Sequence, residues 1–191
     1  EQAIASGRLG LFETIGDNAL IQNLTIEYAL DTANILYAEG EVEALHFGGV
    51  AVQNDGIVYN VKTSGQIEFA TPAQIETGIE VLVGGISAQN FGDISYSQSS
   101  LKLNVNRGVV GGFVAENSGA ISNSKVVYGG TDNGIVNSAT TELMTKTGGF
   151  VAKNTGKIYG SYIAGTSADE SGRFEDKILS QTPIGAFVFE N

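Results

Sequence analysis

The sequence predicts an all-β fold: a single-stranded parallel β-helix solenoid, wound in the usual right-handed sense and carrying loop insertions. Three observations predict it. A seven-residue phrase is spelled twice, as GGFVAEN at 111–117 and GGFVAKN at 148–154. Looser copies of the phrase recur along most of the chain. Within each copy, apolar and polar positions alternate with period two, as in strands with one buried face.

The copies align on the second glycine of each pair, at Gly49, Gly85, Gly112 and Gly149, with Ala186 in that column of a last, partial copy. A large apolar residue follows: Val50, Ile86, Phe113, Phe150 or Phe187. Two places on, Val52, Ala88, Ala115, Ala152 and Phe189 are again apolar, and the next column (Gln53, Gln89, Glu116, Lys153, Glu190) is polar. Asparagine then recurs at Asn54, Asn90, Asn117, Asn154 and Asn191, and glycine two residues later at Gly56, Gly92, Gly119 and Gly156. A branched aliphatic closes the unit at Val58, Ile94, Ile121 and Ile158. The Asn–x–Gly step reads as a bend, because asparagine tolerates the left-handed backbone region and glycine enters it freely. Each copy therefore codes strand, corner, strand.

A unit of this kind cannot bury its apolar face alone, so copies must stack, with equivalent residues about 4.8 Å apart. Five to six coils would stand roughly 25 to 30 Å tall at that spacing. Asparagines in one column can then hydrogen-bond side chain to side chain up the stack. The asparagines are 36, 27, 37 and 37 residues apart. A coil needs roughly 20 to 30 residues, so the shortest interval is nearly a bare coil and the others carry loops of about ten residues. The polar stretches 131–138 and 167–180 are the expected loops. All 191 residues read as one domain, with an atypical first coil at 1–30, repeats near 48–60, 84–96, 111–123 and 148–160, and a partial repeat at 184–191. In the first coil, Asp17, Ala19, Ile21 and Asn23 line up with Asn117, Gly119, Ile121 and Asn123, but no double glycine precedes them. Such a coil is expected to be a cap or entry turn. The last repeat stops at Asn191 without a cap, so the natural protein is expected to continue or to pack that end on something else.

Composition narrows the function. Twenty-one acidic against ten basic residues give a net charge of −11, which argues against nucleic acid or an anionic membrane as partner of the chain as a whole. With no cysteine, disulfides, thiol nucleophiles and thiolate metal sites are excluded. No apolar run approaches the roughly 18 residues of a membrane span. The chain opens at Glu1, as a mature product or an excised fragment would.

The pattern GG-[FVI]-x-[AV]-x-N-x-G-x-[IV] resembles the GLUG motif of bacterial surface and secreted proteins, and GLFETIGDNALIQNLTI resembles the way such arrays begin. Alanine stands where that motif often has VG after the phenylalanine. The resemblance implies a parallel β-helix on an exported bacterial protein, extracellular or at the cell surface, either adhesin-like or beside a secreted metallopeptidase. It carries no catalytic residues with it.

Candidate chemistry is sparse. His46 is the single histidine, so HExxH cannot occur, and a structural strand-end role is expected for it. Serines lie in polar stretches such as SYSQSS at 95–100, without a GxSxG elbow. The densest acidic group, Asp169, Glu170, Glu175 and Asp176 with Arg173 and Lys177, reads as a solvated loop in which calcium ligation is a weak alternative. Seven tyrosines (28, 37, 59, 96, 128, 159 and 162) offer aromatic platforms. Tyr59 and Tyr159 follow the buried aliphatic and should face outward as partner contacts. The expected function is a non-catalytic structural or adhesive segment needing no cofactor, whose partners are neighbouring domains and a host protein or glycan. Alternatives are an accessory substrate-docking domain of a secreted metallopeptidase and, third, a polysaccharide-cleaving β-helix enzyme, which would need acids and bases converging on one strand face.

Overall fold

The computed structural model describes residues 7–31, 44–69, 79–129, 134–137, 145–166, 178–180 and 184–191. They form a β-solenoid of strands paired in parallel and stacked into three sheets. The first sheet holds the double-glycine strands. Arg8–Ile15 lies beside Ala44–Asn54, which runs unbroken through the glycine pair. In later coils this strand splits at the pair, giving for example Glu80–Gly84 and Ser87–Asn90. The second sheet has five short strands: Leu20–Gln22, Ile57–Tyr59, Asp93–Ser95, Ala120–Ser122 and Lys157–Tyr159. The third begins with Thr25–Asp31, Lys62–Phe69 and Gln98–Val105.

The repeat columns become stacks. Asn54 donates its side-chain amide to Asn90 Oδ1, Asn90 to Asn117 and Asn117 to Asn154, each at 2.7 Å, and Asn154 donates to Asn191 at 2.6 Å. The phenylalanine rings of residues 113, 150 and 187 lie face to face with centroids 4.7 Å apart, close to the strand spacing. Around them Val50, Ile86, Val58, Ile94, Ile121, Ile67 and Leu103 fill the coil interior. The column Val52, Ala88, Ala115 and Ala152 does not join that core. It forms a separate buried cluster with Leu82 and Val109, so the first-sheet strand is apolar on both faces rather than on one.

The two corners use glycine and asparagine differently from the sequence expectation. None of Asn54, Asn90, Asn117 and Asn154, nor the glycines two residues on, has a positive φ. The glycines are there for space: a Cβ on Gly92, Gly119 or Gly156 would sit 2.1 Å from the glycine carbonyl oxygen of the coil beneath. The left-handed residues stand one strand later, at Asn23, Asn60, Tyr96 and Asn123 with φ of 48–55°, and at Gly160 with φ 59°. The double-glycine corner turns carbonyls toward hydroxyls of the third sheet. Tyr28 donates to Gly49 O at 2.6 Å, Thr63 to Gly85 O at 2.8 Å and Tyr128 to Gly149 O at 2.6 Å.

Two further expectations are corrected. In the first coil, Ile15 rather than Asp17 pairs with Asn54, and Asp17 and Asn18 turn out to solvent. Two extra residues in that turn displace Asp17 from the column, so the asparagine ladder ends against a buried isoleucine and Asn54 Oδ1 has no donor among the described residues. The stretches 131–138 and 167–180 are not loop throughout. Ile135–Asn137 aligns with Leu103–Val105, and Ile178–Ser180 aligns in turn with Ile135–Asn137. Lys125–Gly129 pairs with the start of the strand whose end Ile135–Asn137 pairs, so the insertion interrupts a third-sheet strand midway. The acidic group at 169–177, Tyr37 and residues 131–133, 138 and 167–177 lie outside the described residues.

Candidate functional site

The two flanks of the solenoid differ in how their charges are used. On the first sheet the register aligns Arg8, His46, Leu82, Val109 and Lys146, while Gln53, Gln89, Glu116, Lys153 and Glu190 align nearby. Here charges pair with one another. Lys153 bonds Glu116 at 2.5 Å, Lys146 bonds Glu190, and His46 Nε2 lies 3.0 Å from Glu80. The Lys146 ammonium holds the Glu190 carboxyl below its usual range. His46 lies inside the Ala44–Asn54 strand, and burial lowers its pKa despite the Glu80 carboxylate, which acts the other way. Its Nδ1 is buried with no hydrogen-bond partner among the described residues.

The opposite flank, where the second sheet turns into the third, is different. The register there aligns Thr25, Lys62, Gln98, Lys125 and Tyr162, one residue per coil. Neither Lys62 nor Lys125 forms an ion pair among the described residues. Lys62, Gln98, Lys125 and Tyr162, with Tyr96 and Asn123, line a shallow open depression of about 260 Å³. Tyr59, Tyr96, Tyr159 and Tyr162 are 41–58% exposed, and the rings of Tyr59 and Tyr96 touch at 5.5 Å. Tyr59 and Tyr159 thus face outward as the period-two pattern predicts. Tyr28 and Tyr128 do not serve as platforms: burial raises the pKa of both, and their hydroxyls are engaged by glycine carbonyls.

Beneath this flank runs a stack that sequence reasoning missed. Ser97 Oγ accepts from Val61 N at 3.1 Å, Ser124 Oγ from Ser97 N at 3.1 Å and Ser161 Oγ from Ser124 N at 3.2 Å. Each hydroxyl donates to the carbonyl two residues before it. The serine ladder fixes the backbone from which the lysines and tyrosines project. A sequence signal existed, since Ser97, Ser124 and Ser161 each follow the left-handed residue by one.

Among the described residues no group of three His, Asp or Glu side chains comes together, and no helix is long and apolar enough to cross a membrane. Chemically, the tyrosine–lysine flank can stack apolar ring faces, pair with anions and hydrogen-bond through the Gln98 and Asn123 amides. Comparison with family models, curated proteins and solved structures gives no match for this chain.

Proposed function

We propose that this chain is a non-catalytic, rigid repeat segment of a bacterial cell-surface or secreted protein, similar to GLUG-motif arrays, that presents a binding flank to a partner. The observation that carries this reading is the contrast between the two parts of each coil. Asparagine, phenylalanine and glycine positions are each committed to the coil above or below, through 2.7 Å amide bonds, 4.7 Å ring stacking and carbonyl contacts that leave no room for a Cβ. A rod held this way transmits its shape along its length, because each coil is indexed to the next. The side chains of the tyrosine–lysine flank make no such commitment: Lys62 and the tyrosines are exposed, and Gln98 and Lys125 are half-buried.

Antibodies raised against the chain should label intact, unpermeabilised cells of the producing organism or its culture medium. The purified chain should leave peptide and polysaccharide substrates uncleaved. Labelling confined to lysed cells, or cleavage that co-purifies with the chain through successive columns, overturns the reading.

A further inference from the structure

We infer that the flank bearing Lys62, Tyr96, Gln98, Asn123, Lys125 and Tyr162 binds an acidic polysaccharide, lying along the stack and carrying about one carboxylate per disaccharide. This deepens the proposed function and rests on that reading of the chain as a binding rod.

Three independent observations lead to it. The first is strain. The left-handed corner column holds Asn23, Asn60, Asn123 and Gly160, residue types that tolerate positive φ, and one exception, Tyr96 at φ 52°. A tyrosine in this region is disfavoured. Tyr96 is 57% exposed, and its one described ring contact, with Tyr59, is itself at the surface. Strain kept for a ring that supports little of the fold points to a task outside the fold.

The second observation is charge. On a chain of net charge −11, Lys62 and Lys125 are unpaired among the described residues, as are Lys102 and Lys157, while Lys146 and Lys153 of the opposite flank are engaged. Of these unpaired lysines, Lys62 and Lys125 alone share one depression. Gln98 lies between them in register, so their backbones are two strand spacings, about 10 Å, apart. A nucleic acid presents a far denser line of charge, about one per 1.7 Å in a duplex, so two lysines leave most of its phosphates uncompensated against the acidic surface, whereas one carboxylate per disaccharide can be matched lysine for lysine. An extended polysaccharide with a uronate in each disaccharide spaces its carboxylates comparably to the two lysines.

The third is shape. The depression is shallow and open, unlike the desolvated pockets that anchor protein partners. Exposed Tyr96 and Tyr162 line it, and their faces suit the C–H faces of sugar rings. Gln98 and Asn123, whose amides have no hydrogen-bond partner among the described residues, suit hydroxyls. Parallel coils repeat along the axis as sugars repeat along a chain, so one mode of contact can recur from coil to coil.

The test uses the full chain and isothermal titration with a hyaluronan decasaccharide, a neutral cello-oligosaccharide and a single-stranded oligonucleotide, each at low and high salt. Hyaluronan should bind, more tightly at low salt, and the neutral sugar and the oligonucleotide should bind more weakly. The double variant Lys62→Gln/Lys125→Gln should bind hyaluronan about fivefold more weakly at low salt, and this difference should shrink at high salt, as screened ion pairs require. Tyr96→Asn should weaken binding at both salt concentrations while raising the melting temperature by about 2 °C, because asparagine accepts the left-handed backbone. Absence of hyaluronan binding, preference for the neutral sugar or the oligonucleotide, or unchanged binding by the double variant overturns the inference. Circular dichroism of each variant separates lost binding from lost fold. Failure here with surface labelling intact removes the ligand and leaves the rod; failure of the labelling removes the rod reading itself.

Discussion

Asn117 is the rung on which the ladder can be tested most sharply. It is buried, accepts from Asn90 at 2.7 Å and donates to Asn154 at 2.7 Å. Asn117→Ala removes both bonds, each contributing about 1 kcal/mol. It also leaves Asn154 Oδ1 without that donor, at a further cost of about 1–2 kcal/mol for a buried acceptor. Asn90 suffers less, because its amide keeps Gly92 O at 3.2 Å. The expected loss is about 3–4 kcal/mol. Asn54→Ala serves as the internal control. That rung makes one ladder bond and its own Oδ1 is already unpartnered among the described residues, so its removal should cost about half as much. Asn117→Asp sharpens the comparison. A carboxylate still accepts from Asn90 but sets its lone pairs against Asn154 Oδ1. Protonation restores a donor, so the deficit of this variant relative to the parent should narrow as pH falls below the carboxyl's raised pKa. Urea unfolding followed by far-UV circular dichroism measures all three. Equal losses at positions 54 and 117, or a loss under about 1 kcal/mol at Asn117, would refute the idea that the ladder binds coil to coil.

Three other outcomes follow from the same geometry. Gly119→Ala places a methyl 2.1 Å from Gly92 O and should cost about 2–3 kcal/mol, whereas Gly16→Ala, with open space around its Cβ, should stay within about 0.5 kcal/mol; similar midpoints in urea would count against steric indexing of the coils. Phe150→Ala empties the middle of the three-ring stack and should cost about 3–5 kcal/mol, with half-buried Phe187 costing less, read from the same titration. Burial lowers the His46 pKa below its ordinary value of 6.5, so the unfolded chain takes up the proton more readily than the folded one. Stability should therefore be full above about pH 6.5 and decline as pH falls through that value; in His46→Gln this part of the decline between about pH 7 and 5.5 should vanish, and an unchanged profile would contradict the shift.

The stacking columns were legible in the sequence because each demands one chemical type at a fixed offset. An asparagine ladder works only with asparagine on consecutive rungs, so five copies announce themselves. The same rule explains what was hidden. Ile15 occupies the ladder's column in the first coil through a two-residue change in turn length, which alignment on Asp17 and Ile21 cannot reveal. The left-handed column mixes Asn60, Tyr96 and Gly160, types united by backbone angle rather than by side-chain pattern. Its serine neighbours begin from Val61, which contributes only a backbone N–H. Ile135–Asn137 and Ile178–Ser180 are three-residue strands within polar stretches, too short for periodicity to mark.

What makes the coil readable also limits where it can acquire function. Every position that faces the stack is answerable to two neighbours: a larger residue at Gly119 strikes the coil beneath, and a different side chain at Asn117 breaks bonds on both sides. The outward positions of Lys62, Gln98, Lys125 and Tyr162 share a register column yet have no common chemistry, so stacking does not dictate what stands there. Tyr96 is the instructive exception, since it occupies a column where stacking does dictate and departs from it at a cost in backbone strain. Replacing it with asparagine should therefore separate two quantities that rise together for a structural residue: stability should increase while whatever the exposed ring engages is lost. A residue placed for the fold would show both falling.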